Sequence, residues 1–168
     1  NAARRDPDGA YVPLDSQDTS LWDLALIDAA EEQLGLASNA GPSGRYQLEA
    51  AIQSAHVARR LAGADTAAAI LALYDHLLAL THSPVVALNR AVALAEREGP
   101  EAGLAATLPL GDDPRMQTYQ PYWAARGHLL ARAGRRTEAR EALTVALGLS
   151  TDNAVRHYLQ QRLLALRD

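Results

Sequence analysis

The sequence contains no cysteine, no lysine and no phenylalanine. Without thiols, the chain can form neither a disulfide nor a thiolate metal site. No apolar run approaches the roughly 20 residues that a membrane-spanning helix needs, and there is no signal peptide. These absences predict a soluble cytoplasmic protein.

The residues that are present favour packed helices. The chain has 168 residues, enough for one domain. Hydrophobic residues make up 48% of the sequence but aromatic residues only 5%. Because most of the apolar residues are alanine and leucine, which are good helix formers, the composition favours closely packed helices over a β-sandwich.

Charge is unevenly distributed along the chain. Residues 115–168 contain nine arginines and four acidic residues, a net charge of +5, whereas the remainder has a net charge of −9. This polarity suggests a charged partner. The total of −4 argues against direct nucleic-acid binding. Four arginines surround one predicted turn, and they form either a solvated helix connection or a contact for an anion or acidic partner. They are Arg132, Arg135, Arg136 and Arg140.

Residues 120–153 have the spacing of a tetratricopeptide unit, which is a pair of antiparallel helices of about 34 residues. Gly127 would allow the two helices to touch without a Cβ atom between them. Ala139 and Ala146 would do the same from the second helix, and Gly134 would supply the left-handed residue that ends the first helix. Large side chains would fill the seam between the helices: Trp123, Leu130 and Leu143.

The rest of the chain extends this pattern. Residues 1–19 are predicted to be irregular, and residues 20–168 to form an all-α, tetratricopeptide-like domain of about eight helices. The antiparallel helix pairs should stack in a right-handed array. Ser20 and Asp23 resemble a capping box that begins the first helix. The predicted apolar stripe of that helix consists of Leu21, Trp22, Ala25, Leu26 and Ala29. Later helices are predicted near residues 45–61, 66–80, 84–98, 100–108, 117–133, 136–149 and 152–168.

No set of residues has the spacing of a catalytic or metal site. The five histidines form no i, i+4 pair, and no glutamate has a zincin spacing relative to them. No glycine-rich loop follows a predicted strand, and no serine lies in a nucleophile elbow. The sequence therefore predicts a protein that is not an enzyme and that holds no cofactor or metal.

Asn89 and Arg90 interrupt an otherwise apolar helix. In a repeat array such residues can bind a peptide backbone or carboxylate, or they can form a buried hydrogen-bond network. A small-molecule site near Asn89, Arg90, Tyr46 and Trp22 is a further hypothesis. Taken alone, this pattern predicts a stand-alone tetratricopeptide-like adaptor or a small-molecule-sensing helical domain.

Four segments resemble a known family. They are residues 15–23 (DSQDTSLWD), 46–52 (YQLEAAI), 72–75 (ALYD) and 83–93 (SPVVALNRAVA). Together they resemble the tetratricopeptide-like C-terminal extension of bacterial extracytoplasmic-function RNA polymerase sigma factors of the group encoded beside YCII-like (DGPF-type) proteins. The resemblance covers residues 11–166. Family members often carry arginine where this chain has Thr19 and Leu21, and proline where it has Arg45.

The resemblance implies a regulatory domain of transcription initiation. Its partners would be the N-terminal regions of the sigma factor, core RNA polymerase or another protein. Promoter DNA would be contacted only by a separate N-terminal part. The candidate partner-binding residues are Asp15, Gln17, Asp18, Trp22, Tyr46, Gln47, Asn89 and Arg90.

Overall fold

The computed structural model describes residues 2–166, which form an all-α array of stacked helix pairs, as the sequence predicts. Nine α-helices lie in this part of the chain. Their bounds are α1 Leu24–Asn39, α2 Arg45–Ala62, α3 Ala67–Thr81, α4 Pro84–Glu98, α5 Pro100–Thr107, α6 Pro114–Gln117, α7 Gln120–Arg132, α8 Arg136–Leu149 and α9 Asn153–Ala165. The predicted continuation of the last helix over residues 167–168 lies outside the described residues, as does residue 1 of the irregular segment.

Apolar residues from successive helices form the core that holds the stack together. Leu48 and Ile52 of α2 pack with Leu77 of α3 in one buried cluster. A second buried cluster joins Ala95 of α4 to Leu129 of α7, together with residues of α5 and α8. Since this second cluster belongs to four helices, the α4–α5 and α7–α8 pairs share one core.

The α7–α8 pair confirms the predicted close contact. A Cβ atom at Gly127 would lie 2.6 Å from Cγ of Leu143 and 3.3 Å from the carbonyl oxygen of Ala139. Ala139 and Ala146 are both fully buried, at 0% exposure. The small residues therefore bring the two helices together at the predicted positions.

Gly134 ends α7 in the predicted left-handed conformation, with φ of 77°. The amide of Arg135 donates to the carbonyl oxygen of Leu130 at 2.9 Å, and the amide of Gly134 donates to that of Ala131 at 3.1 Å. These two bonds form a Schellman motif, which satisfies carbonyl groups that the end of the helix would otherwise leave without partners.

A second close helix contact involves Gly103 of α5. A Cβ atom there would lie 2.5 Å from Cβ of Ala95 and 2.8 Å from the carbonyl oxygen of Ala91. Neither neighbour can move without moving α4, because one is backbone and the other is a Cβ atom. The α4–α5 pair thus depends on a glycine in the same way as the α7–α8 pair.

We expect Gly103→Ala to lower the free energy of unfolding by about 1–3 kcal/mol, because the added methyl group overpacks this contact. Urea unfolding monitored by circular dichroism measures the change. Gly35→Ala in α1 is the control, since a Cβ atom at Gly35 would meet nothing within 4 Å. Equal effects of the two substitutions would show that α4 and α5 do not touch through Gly103.

The predicted start of the first helix is wrong. Ser20 lies in a short 3-10 turn, Thr19–Leu21, and α1 begins at Leu24. The N-cap is Asp23, whose carboxylate accepts from the amide of Leu26 at 3.0 Å. An aspartate is as good an N-cap as a serine, so Asp23 caps the helix itself and does not complete a capping box with Ser20.

The predicted apolar stripe of the first helix is also wrong. Leu21 and Trp22 precede α1, and Leu26 is 68% exposed. No residue of α1 is buried. Among the described helices, α1 makes its main packing contact with α2 alone, so the remaining apolar positions stay on the surface.

The helix predicted from residue 117 begins at Gln120, and a short helix that was not predicted precedes it. Asp113 caps the short helix α6, its carboxylate accepting from the amide of Arg115 at 2.9 Å, and Pro114 occupies the first helical position. Helix α7 starts separately at Gln120 and has Pro121 in its first turn. The Asp-Pro pair is a helix-start signal that accounts for the ninth helix. By contrast, α4 begins at Pro84 as predicted, and Ser83 before it makes no side-chain cap hydrogen bond.

Candidate functional site

A cleft of about 250 Å³ opens on one face of the stack, between α2, α3, α4 and α7. Its α4 wall is formed by Asn89, Val92, Ala93 and Glu96, whose spacing places them on one side of a helix. The other polar side chains that line it are Asp15, His56, Arg59, Tyr74 and His128. Since four helices contribute to it, the cleft exists only in the assembled stack.

The N-terminal segment, residues 2–22, lies against this face. Leu14 and Asp15 line the cleft. Nη2 of Arg60 in α2 donates to the carbonyl oxygen of Gln17 at 2.7 Å. The Gln17 side chain is only 6% exposed, and its Nε2 donates to the carbonyl oxygen of Val12 at 3.3 Å. This half of the segment is therefore held on α2.

The other half of the N-terminal segment contacts the last helix. The ring of Tyr11 meets that of Tyr158 in α9 edge to face, with centroids 5.6 Å apart. Arg5 forms an ion pair of 3.5 Å with Asp152, the N-cap of α9. The segment thus spans the stack from α2 to α9.

Glu96 joins three helices at one end of the cleft. It accepts from Nη2 of Arg59 in α2 at 3.3 Å and from Nη1 of Arg132 in α7. Burial acts to raise the pKa of Glu96, but the hydrogen bonds and charges of Arg132 and Arg59 outweigh it, so the pKa lies below its ordinary value. Glu96 is therefore ionised at neutral pH and neutralised by its partners.

Both histidines of the cleft are half-buried. Burial lowers the pKa of His56 below its usual 6.5, and the charge of Arg59 lowers it further, whereas Asp15 acts to raise it. For His128, burial lowers the pKa, as do Arg162 and Arg132, against the opposing effect of Glu96 and Asp15. At neutral pH both imidazoles are uncharged.

This ionisation predicts a loss of stability in mild acid. The pKa of both histidines is lower in the folded state than the ordinary value of 6.5. Between about pH 7.5 and 5 the unfolded state therefore binds more protons than the folded state. As a result, the free energy of unfolding falls as the pH decreases through 6.5. We expect His128→Gln to flatten this part of the pH profile. Urea unfolding at pH 7.5, 6.5 and 5.5 measures it. As a control, His157→Gln replaces an exposed histidine of α9, and an identical profile for both variants would rule out this role of His128.

A second, wider cavity of about 720 Å³ lies between the N-terminal segment, α1 and α2. It is lined by Gln17, Trp22, Leu26 and Gln53, among others. Trp22 is only 9% exposed, and its buried Nε1 has no hydrogen-bond partner among the described residues. The same is true of Nε of Arg60.

Four of the sequence-predicted site residues line the two cavities. Asp15 and Asn89 lie together in the cleft, and Gln17 and Trp22 lie together in the wider cavity. Asp18 is exposed and caps the 3-10 turn Thr19–Leu21, its carboxylate accepting from the amide of Ser20 at 2.9 Å.

The other predicted site residues either make structural contacts within the chain or are exposed on the surface. Tyr46 is 80% exposed. Gln47 joins the end of α1 to the start of α2, since its Nε2 donates to the carbonyl oxygen of Ala37 at 2.8 Å. Arg90 pairs with Asp75 of α3 at 2.5 Å. Tyr46 and Arg90 line neither cavity in the described part of the chain, so the small-molecule site around Asn89, Arg90, Tyr46 and Trp22 is not assembled.

Two of the four clustered arginines are held within the chain. Arg132 pairs with Glu96, and Arg135 pairs with Glu138 at 2.5 Å and with Glu101 at 3.8 Å. Arg136 and Arg140 are exposed. Of the two interpretations of this cluster, the structure thus favours the solvated helix connection.

The sequence pattern did not indicate three nitrogen-bearing side chains of the cleft, which are His56, Arg59 and His128. His56 and Arg59 lie about one turn apart on α2, a spacing that could have indicated a polar face. Nothing in the sequence indicates that His128 of α7 faces the same cleft, because 69 or more residues separate it from the α2 group. 

Among residues 2–166, no group of three or more histidine and acidic side chains could hold a metal ion. Within the same residues, no helix combines the length and apolar character needed to cross a bilayer.

No protein-family model matches the chain. No solved structure matches it either. An uncharacterized protein of Rhizobium meliloti (strain 1021) is 40% identical over 161 residues, which cover 96% of this chain. The chain spans only 38% of the length of that relative. A similar sequence thus occurs as part of a longer protein.

Proposed function

We propose that this chain is a regulatory protein-interaction domain of an extracytoplasmic-function sigma factor and acts in transcription initiation without catalysis. One observation carries the proposal. Residues 83–93, the most specific of the segments that resemble the sigma-factor extension, supply Asn89, Val92 and Ala93 to the wall of the cleft. The stretch that carries the resemblance is therefore also part of the candidate site.

The arrangement of the cleft supports protein binding. Helical-repeat domains commonly bind other proteins on an extended face built from several repeats. Here a polypeptide segment already lies against such a face, with a backbone carbonyl bound by Arg60 at 2.7 Å. In the Rhizobium relative the similar sequence is part of a longer protein, which is the arrangement expected of a regulatory domain.

The partners on this proposal are the polymerase- and promoter-binding part of the sigma factor, core RNA polymerase, or a further protein in the cytoplasm. Promoter DNA would be reached only through the sigma part. The pairing of Arg132 and Arg135 with glutamates agrees with the absence of a direct DNA contact, because paired arginines are less available to phosphates.

Binding measurements test the proposal. The purified chain is immobilised, and biolayer interferometry measures its affinity for core RNA polymerase and for the polymerase-binding part of a sigma factor of this group. We expect binding to one of them, and an affinity about tenfold lower for Asn89→Ala if Asn89 is a central contact. Gln160→Ala is the control, because Gln160 is exposed on α9 away from the cleft lining. Absence of binding to both partners would overturn the proposal.

A small-molecule sensor is the second candidate, and the cleft is the observation that favours it. Its volume of about 250 Å³ is slightly below the usual range of ligand pockets, roughly 300–1,000 Å³. A metabolite that raises the melting temperature of the unaltered chain, but not that of Asn89→Ala, would support this function over protein binding.

A further inference from the structure

We propose that residues 12–22 are an intramolecular occupant of the binding face, and that a partner binds there by inserting an extended acidic segment in their place. The inference rests on the proposed function and specifies the partner: a peptide segment with a carboxylate near its centre. The binding face means the cleft together with Arg60 of α2.

Arg60 supplies the first argument. Its Nη2 donates to a backbone carbonyl at 2.7 Å, while its buried Nε has no hydrogen-bond partner among the described residues. A donor that binds a carbonyl group depends on the path of the bound backbone and little on its side chains. Another extended segment can therefore occupy the same place, and it can also satisfy the donor that the chain's own segment leaves unpaired.

Charge determines the kind of segment. His56, Arg59 and His128 line the cleft with Asp15 of the occupant, and the charge of Asp15 acts on both histidines. Glu96, the acidic group contributed by α4, is neutralised by Arg59 and Arg132. Both imidazoles are uncharged at neutral pH, so the positive charge at the cleft comes from the arginines. Arg59 and Arg132 together carry one positive charge more than Glu96, and this excess favours a carboxylate at the position of Asp15.

The residues that precede the occupant attach it to α9, and this attachment is weak enough to be lost in an exchange. The ion pair between Arg5 and Asp152 has both side chains more than half exposed, at 58% and 52%. Such surface pairs contribute little to stability. The Tyr11–Tyr158 ring contact is the other link, and Tyr11 is 40% exposed.

An attached occupant competes with a partner at high effective concentration, of the order of millimolar for a short connection. A change that loosens the occupant without altering the binding face should therefore tighten partner binding. Tyr11→Ala is such a change, because Tyr11 contacts α9 and does not line the cleft.

The test uses the full chain and a fluorescein-labelled peptide with the sequence of residues 10–23, AYVPLDSQDTSLWD. Fluorescence anisotropy gives the dissociation constant. We expect Tyr11→Ala to bind the peptide about tenfold more tightly than the unaltered chain, as removal of a competing intramolecular contact requires. Circular dichroism checks that its helix content is unchanged.

Two matched comparisons show where and how the peptide binds. In the Tyr11→Ala background, Arg60→Met should abolish the gain in affinity for the peptide. Arg97→Met should retain that gain, since Arg97 is exposed on α4 and lines neither cavity. A peptide with Asp15→Asn should bind about tenfold more weakly, as loss of a charged contact predicts.

Equal affinity of the Tyr11→Ala and unaltered chains would overturn the inference, and so would equal binding of the acidic and amide peptides. These results are distinct from failure of the proposed function. If the peptide binds as expected but the chain binds neither polymerase nor sigma regions, the inference about residues 12–22 stands and the sigma-factor role is rejected.

Discussion

Replacing Gly127 with leucine should lower the free energy of unfolding by about 1–3 kcal/mol or more, because it overpacks a closed contact. Even the first added carbon would lie 2.6 Å from Cγ and 2.8 Å from Cδ2 of Leu143. Leu143 is itself 3% exposed within the core, so its side chain has no free space to enter. The expected result is separation of α7 from α8 or a shift of the helices along the array.

Urea unfolding of a matched set of variants measures this effect. Gly148 lies in α8, and a Cβ atom there would meet nothing within 4 Å. Gly148→Leu should therefore be neutral or stabilise the chain by up to about 1 kcal/mol, the helix-propensity cost of glycine. Gly127→Ala should fall between the control and Gly127→Leu. If Gly127→Leu unfolds at the same urea concentration as Gly148→Leu, the close helix contact does not exist.

Replacing Trp123 with alanine should cost about 3 kcal/mol, at the lower end of the range for large aromatic residues because the indole is only partly buried. Trp123 packs against three of the buried clusters, which include residues of α4, α5, α7, α8 and α9. Its Nε1 also donates to the carbonyl oxygen of Gln117 at 2.9 Å. Its loss should therefore loosen the seam between several helices.

Two further variants separate the contributions of Trp123. Trp123→Phe keeps much of the packing but loses the hydrogen bond to Gln117, so we expect a cost of about 1 kcal/mol for the lost bond, in addition to a smaller packing loss. Tyr46→Ala removes an aromatic ring that is 80% exposed and should change stability by no more than about 0.5 kcal/mol. A silent Trp123→Ala, equal to Tyr46→Ala in chemical denaturation, would mean that the repeat register is wrong.

The sequence predicted the parts of the fold that depend on contacts between neighbouring helices. Gly127, Ala139 and Ala146 lie within one helical pair, so their spacing alone indicates which atoms meet. Gly134 acts on the end of a single helix and has the predicted left-handed conformation, and Asp152 is the N-cap of a single helix, α9. Such local signals are strong because few residues can provide a left-handed turn or an N-cap.

Features that depend on distant parts of the chain were not predictable in this way. The pattern of α1 resembles a helix with one buried face, but burial requires a partner, and α2 covers little of it. Likewise, composition predicted an irregular segment over residues 1–19 but did not indicate that the N-terminal segment contacts both α2 and α9.

The candidate site was predicted in part for the same reason. Asn89 stood out because a polar residue interrupted an apolar helix, and it does line the cleft. Asp15 was found only through the family resemblance. Gln17 and Trp22, found by the same route, are buried in the chain itself, so their proposed partner contacts require the exchange of residues 12–22.

Hydrogen–deuterium exchange of the unaltered chain tests the central claim most directly, namely that the helical stack binds its own N-terminal segment across one face. In this segment the amide of Val12 donates to the carbonyl oxygen of Arg4 at 2.9 Å, and that of Trp22 donates to Thr19 at 3.1 Å. The account predicts slow exchange over residues 12–22, and faster exchange there in Arg60→Met with the α7–α8 pair unchanged. The account would be contradicted if, in the unaltered chain, residues 12–22 exchanged as fast as the exposed connection of residues 40–44.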